Sequence, residues 1–430
     1  MRLRSVPIAL GVAVAVLAVA VAVAPARPGQ KDLSYGGGGF GIGFIYDSQF
    51  PNGIDEFGSM AVTSGGKAVF AGTTDAGGFG DYAVGRLLRN GKLDHGFGDP
   101  VGHVATGDIL GGDDINDVAV SGGGAVFLAG ECGMATDVIC VAKLNPAGDL
   151  DPGFSGDGKQ TTPIGGSAGA EAAVLAGGGK VVVAGSGEVA GRQSLALVRY
   201  RPGGQPDGSF GAGGVATRGV GSSARAFDVA VQKDGKIVVV GGDTFNASND
   251  TEIVVARFRP NGSPDQGFGK GGVARIRIGT NSLAFALAVD RRNRVLVTGT
   301  SGTGRGAVVR LTPAGKRDRS FGGDGIVRPP FGLPFYFLTD LAVQRSGRIV
   351  VAGLAGDIPG LPGATLIARL LPNGKVDRGF ARHGFRIFNL GATAFSLVSV
   401  GFQPGGAILV GSKFNFGGST VGFIATRFKG

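Results

Sequence analysis

The chain contains no tryptophan, and in 430 residues it has only two cysteines and three histidines. So few thiol and imidazole groups leave no set for an iron–sulfur cluster or a multi-ligand zinc site. Charged residues make up only 17%, while 43% of the chain is hydrophobic, which excludes general disorder and allows a large core. Glycine is abundant instead, at 85 residues. It does not fall at every third position, so collagen is excluded. The net charge is +10.

A long apolar run occurs once, at residues 8–24, behind Arg2 and Arg4. Small residues come next, with candidate cleavage sites at Ala24-Pro25-Ala26 and Ala20-Val21-Ala22. This is the layout of a secretory signal. The run is 17 residues long, at the lower edge for a membrane span, so a retained anchor is the alternative reading. A cleaved signal over 1–26 is expected, with 27–430 exported to the surface or surroundings of a bacterium. No later segment is long and apolar enough to span a bilayer.

The rest of the chain is a repeat, and repeats are to be sought first. A short apolar strand ending in glycine recurs at Gly72, Gly130, Gly185, Gly241, Gly299, Gly353 and Gly411, at intervals of 54 to 58 residues. A second box reads Asp-x-x-Phe, with aspartates at Asp94, Asp151, Asp207, Asp265, Asp318 and Asp377. A divergent copy, Asp32-Leu33-Ser34-Tyr35, stands at the start, with an insertion after it around residues 42–53. A third element is a basic residue eight positions before each box: Arg86, Lys143, Arg199, Arg257, Arg310 and Arg369. The seventh, Arg427, has no box after it, because the chain ends at Gly430. The missing box is the one at Asp32, so the array is expected to close into a ring.

Each period reads as four short strands; in the fourth unit they cover 214–218, 226–231, 236–240 and 253–258. Gln232-Lys233-Asp234-Gly235 is a tight hairpin signal. Runs such as Val181-Val182-Val183-Ala184 are apolar without alternation, as in strands covered on both faces. Residues 283–289 alone read equally well as helix, but the aligned segments have too little room between turns. Seven units of four strands in a closed ring predict an all-β, seven-bladed β-propeller. Glycine is expected to serve the turns and the close approach of blades. The N-terminal segment is expected to dock on the seventh unit, with residues 40–46 or a neighbouring stretch as its outer strand. The lack of tryptophan excludes the tryptophan-bearing signatures of WD-type, quinoprotein and sialidase propellers.

The Asp-x-x-Phe-Gly boxes, the Lys236-Ile-Val-Val-Val-Gly241 strand and the Ala-Arg-Phe-Arg-Pro-Asn-Gly segment at 256–262 resemble the delta-60 repeat family of bacterial tandem-repeat proteins. The resemblance covers about residues 32–430 and implies a propeller, often exported. It implies no enzymatic activity, ligand or cofactor.

Candidate sites emerge from the repeat. One basic residue and one aspartate per unit, from Arg86 and Asp94 round to Arg427 and Asp32, read as a structural clamp, since a ligand site rarely needs sevenfold repetition. Aligned on the terminal glycine, one position of the expected innermost strand reads Ser59, Asp117, Ala172, Asp228, Ala286, Asp340 and Val398. Asp117, Asp228 and Asp340 would face the channel and hold a cation or basic group, or else cap local turns. The loops after the terminal glycines vary in length (243–252, 300–306, 354–365), while the opposite hairpins do not, which marks the variable face for binding. In one of them Asp243, Asn246, Asn249, Asp250 and Glu252 offer oxygens suited to calcium, although the spacing matches no known calcium loop. Cys132 and Cys140 flank another and are expected to form a disulfide in an oxidising compartment.

Catalytic patterns are poor. Gly165-Gly166-Ser167-Ala168-Gly169 has the nucleophile-elbow spacing but precedes a strand rather than a helix. Gly36, Gly38 and Gly41 match Gly-x-Gly-x-x-Gly outside any βαβ unit. The basic clusters Arg291-Arg292-Asn293-Arg294 and Lys316-Arg317-Asp318-Arg319 lack interleaved aromatics, so no nucleic-acid partner is expected. The leading reading is a monomeric, non-enzymatic binding or scaffold module for an envelope polymer or surface protein. The alternative is an exported hydrolase or lyase with its site near the channel.

Overall fold

A computed structural model describes residues 28–38, 40–44, 56–74, 80–98, 104–133, 135–244, 251–302, 304–356, 364–389, 397–415 and 421–430. The expected signal segment 1–26 and the candidate ligands Asn246, Asn249 and Asp250 lie outside these residues.

Seven antiparallel sheets of four strands form the chain into a propeller, as the repeat predicts. The helical content of the described residues is one short 3-10 turn, Gly177–Gly179. Blade four shows the common plan. Its inner strand is Ser223–Val231, after which come Ile237–Thr244, Thr251–Phe258 and the outer strand Val273–Ile276. The blade is therefore offset from the sequence unit by one strand. Val215–Arg218, the first strand of the fourth unit, is the outer strand of blade three.

The offset leaves the last blade one strand short. Val398–Phe402, Ile408–Asn415 and Val421–Phe428 are completed by Phe40–Phe44, which pairs antiparallel from Phe40↔Thr426 to Phe44↔Gly422. The ring is closed by the two ends of the chain, and Val421–Phe428 is not left as an open edge.

The core lies between blades. Val182 and Leu197 of blade three pack with Val239 and Val254 of blade four. Across the closure, the rings of Phe70 and Phe423 stack 4.2 Å apart. Each second strand is covered on both faces, which is why Val181-Val182-Val183-Ala184 shows no alternation.

The recurring terminal glycine has a more specific cause than close blade approach. In six blades the inner strand carries a β-bulge, as between Ala226 and Asp228. The bulge swings a carbonyl across the second strand, so that a Cβ on Gly241 would collide with the Arg225 oxygen. Only glycine leaves that space free.

Candidate functional site

One face of the ring carries the clamps. Arg86 and Asp94 lie 2.7 Å apart, Lys143 and Asp151 2.8 Å, and Arg199 and Asp207 2.9 Å. The series continues with Arg257–Asp265 and Arg310–Asp318 at 2.8 Å and Arg369–Asp377 at 2.9 Å. Arg427 meets Asp32 at 2.9 Å across the closure. Each aspartate thus ties a third strand to the turn after it. Burial alone would raise the Asp32 carboxyl. Hydrogen bonds from Ser34 and Lys429 and the charge of Arg427 overcome this and hold it at about 2.

The inner strands converge on the channel. Asp117, Asp228 and Asp340 all line one cavity of about 330 Å3, together with Ser59, Ala172, Ala286 and Ser399. In the last blade the terminal Gly411 stands three residues after Ile408, whereas Gly241 stands four after Ile237, so Ser399, not Val398 as aligned on the glycine, completes this layer. Each carboxylate reaches the inner strand of the next blade. Asp117 accepts from the Ala173 amide at 2.7 Å, Asp228 from Leu287 at 2.6 Å and Asp340 from Val400 at 2.6 Å. The second oxygens of Asp228 and Asp340 accept from the next residue of their own strand, Val229 and Leu341, at 2.6 Å. The carboxylates therefore act as staples between blades two and three, four and five, and six and seven. Burial pushes Asp117 up to about 6 and Asp340 up to about 7. Asp228 is raised well above the usual range by burial, with repulsion from Asp117 and Asp340 adding to it.

Above this layer the channel mouth is two-sided. Asn116, Glu171 and Thr339 supply polar groups, whereas Phe227, Leu283, Phe285 and Leu397 supply apolar ones. Leu283 and Leu397 remain 39% and 47% exposed. Phe337 packs edge-on to Phe285 at 6.4 Å and extends the aromatic side. Opposite, Arg225 pairs with Glu171 and lies 3.7 Å from Glu131. The mouth opens on the variable-loop face.

The calcium candidates are engaged otherwise where they are described. Asp243 is buried and pairs with Arg275 at 2.7 Å; Glu252 meets the same guanidinium at 3.0 Å. Cys132 and Cys140 form a disulfide, with Cα atoms 6.0 Å apart. Ser167 of the Gly-x-Ser-x-Gly segment precedes the strand Ala168–Ala176. His95 and His383 are exposed, and His103 lies outside the described residues.

Three segments, 179–210, 232–268 and 344–380, match the profile of a β-propeller domain of unknown function, DUF5122. The chain is a β-propeller repeat protein. No curated protein matches it significantly. Among solved structures the propeller is similar to the polysaccharide lyase Uly1, with a TM-score of 0.50 and 10% identity over 90% of this chain and 92% of that one. It is also similar to a protein of unknown function from Dyadobacter fermentans, with a TM-score of 0.49 and 11% identity over 91% and 99% of the two chains. PorZ, a surface component of the type-IX secretion system of Porphyromonas gingivalis, gives a TM-score of 0.46 and 12% identity over 88% of this chain and 47% of its own. Identities this low speak to fold alone.

Three features of the propeller were not read from its sequence. Each clamp arginine sits over the aromatic ring of its own box, from Arg86 on Phe97 at 4.3 Å to Arg427 on Tyr35 at 4.8 Å. Tyr35 thus plays the part of the other boxes' phenylalanine. The same guanidinium donates to the next blade, as Arg86 does to the Pro146 carbonyl at 2.7 Å and Arg427 to Arg89 at 3.0 Å. The proline three residues after most clamp arginines was the available signal. The mouth residues Glu171, Phe227 and Phe285 had none, because they sit on the bulge, a position that reads Gly58, Asn116, Glu171, Phe227, Phe285 and Thr339 round the ring.

Proposed function

We propose that the chain is an exported, non-enzymatic binding module of the delta-60 repeat class, whose channel mouth takes a sugar unit of an envelope polysaccharide. The observation that carries this reading is the two-sided mouth. A pyranose presents a C–H face, which suits Phe227 and Phe285, and hydroxyl edges, which suit Asn116, Glu171 and Thr339. The cavity, at about 330 Å3, is of the size that one or two sugar rings occupy. Catalysis at the channel is the weaker reading. Both oxygens of Asp228 and of Asp340 are held by backbone amides, which leaves neither poised as a free acid or base. Export rests on the apolar run at 8–24 behind Arg2 and Arg4.

The test is titration calorimetry of the purified chain against fragments of bacterial envelope polysaccharide, beside Phe285→Ala and Glu171→Gln. Saturable binding weakened about tenfold or more by either change is expected. Binding that neither change affects would place the ligand elsewhere on the ring.

A further inference from the structure

The face opposite the channel mouth is strongly and unevenly charged. On blades one to three its inner hairpins are built of Ser64-Gly65-Gly66, Ser121-Gly122-Gly123-Gly124 and Gly177-Gly178-Gly179, and exposed cations are confined to the neighbouring turns, at Arg89, Lys92 and Arg201. On blades four to six the equivalent hairpins and the neighbouring turns present Lys233, Arg259, Arg291, Arg292, Arg317 and Arg345, all exposed. Among the described residues none of these six side chains has an ion-pair partner. The box aspartates of this sector are buried in their clamps, and the exposed carboxylates set against the cations are Asp234 and Asp324. The hairpins lie side by side: Gln232 of blade four donates to the Asn293 carbonyl of blade five at 3.0 Å. The cations therefore form one continuous field.

A second observation concerns the chain entry. Pro28 lines the same cavity as Arg345 and Ser346, and its carbonyl accepts from the Ala381 amide at 2.7 Å. The apolar run ends at residue 24, and four residue steps span at most about 14 Å. Whatever holds that run is thus tethered beside the cationic sector.

We propose that this face lies against an anionic lipid bilayer. Phosphate-bearing headgroups supply a plane of negative charge that matches a plane of exposed arginine and lysine, and each such residue adds to the attraction. The apolar run, as a signal before cleavage or as an anchor, brings the face into register with that plane. This assignment is independent of what the channel mouth binds on the other side.

The experiment is partition of the full chain onto phosphatidylcholine vesicles and onto vesicles that also contain phosphatidylglycerol. The neutral vesicles report the contribution of the apolar run; the increment on anionic vesicles reports the face. In the triple variant Arg291→Glu, Arg292→Glu, Arg345→Glu the increment should fall by about 100-fold or more, and high salt should abolish it for the parent. The matching lysine variant should keep it, since a charged surface reads charge rather than fork geometry. Circular dichroism of each variant should match the parent, because the side chains are exposed. An increment unchanged by charge reversal, or lost in the lysine variant, overturns the proposal. So does absence of any anionic increment together with tight binding to soluble polyphosphate, which would assign the face to an acidic polymer.

Discussion

Asp32 and Arg427 lie 395 positions apart in the chain and 2.9 Å apart in space. They make the seventh clamp, and the segment that brings Asp32 there also supplies the last blade's outer strand. Closure thus couples the termini through charge, an aromatic platform and a strand ladder together. Deletion of residues 28–44 is expected to lower the melting temperature of the whole ring, since it exposes the edge Val421–Phe428 and leaves Arg427 without its carboxylate. Asp32→Ala alone should cost about 3 kcal/mol in urea unfolding. An unchanged melting temperature for the deletion would show that the ring closes without its N-terminal segment.

The clamps are not equal, and the difference is measurable. Arg310 is only 2% exposed and bonds to Asp318, to Ser320 and to the Pro372 carbonyl of the next blade. Lys143 is 17% exposed, its partner 27%, and an ammonium cannot reach both strands at once. Arg310→Met should therefore cost about 3 kcal/mol, since it removes the buried guanidinium's bonds to Asp318 and to the next blade and leaves Asp318 only Arg294 and Ser320. Lys143→Met should cost about 1 kcal/mol or less. Equal losses in denaturant unfolding would refute the view that the interblade bonds carry the difference.

Acid–base behaviour should be bell-shaped. Asp117, Asp228 and Asp340 have raised folded values, so their stabilising contribution is complete below about pH 4 and is lost as the pH rises through 6 to 7. Asp32, Asp94, Asp265 and Asp318 have lowered values, so theirs is present above about pH 4 and is lost on acidification. Melting temperature should peak at about pH 4–5 and decline toward pH 8. Replacing all three channel aspartates by serine, the residue found at Ser59 and Ser399, should flatten the alkaline limb and spare the acid one. At about 1.4 kcal/mol per unit, a folded value of about 7 against the ordinary 3.8 makes the limb attributable to Asp340 about 4 kcal/mol.

Reduction should weaken blade two locally. The Cys132–Cys140 bridge closes a short hairpin with a sequence separation of 8, which is worth about 2–3 kcal/mol through the unfolded chain. Cys132→Ser with Cys140→Ser is expected to lower stability by that amount, and dithiothreitol should then have no further effect. A parent insensitive to dithiothreitol under denaturing conditions, with both thiols free by mass spectrometry, would show that the bridge does not form.

The sequence by itself determined the number of blades, the strands in each and the partner of the orphaned Arg427. All three come from counting a period, and every copy of the repeat votes on it. The run Val181–Ala184 likewise announced burial on both faces, because apolar content without alternation admits little else. Tertiary structure alone decided where the side chains point. A bulge adds one residue to the inner strand, and with a side-chain period of two that single insertion reverses the facing of every later residue in the strand. It brings Phe227 and Phe285 to the mouth beside the layer of Asp228. In the last blade Gly411 comes one residue earlier after the hairpin, and that shift puts Ser399 in the layer in place of Val398. The cationic face was equally invisible along the chain. Lys233, Arg291 and Arg345 are each separated by about a whole repeat, and only the ring lays their hairpins side by side.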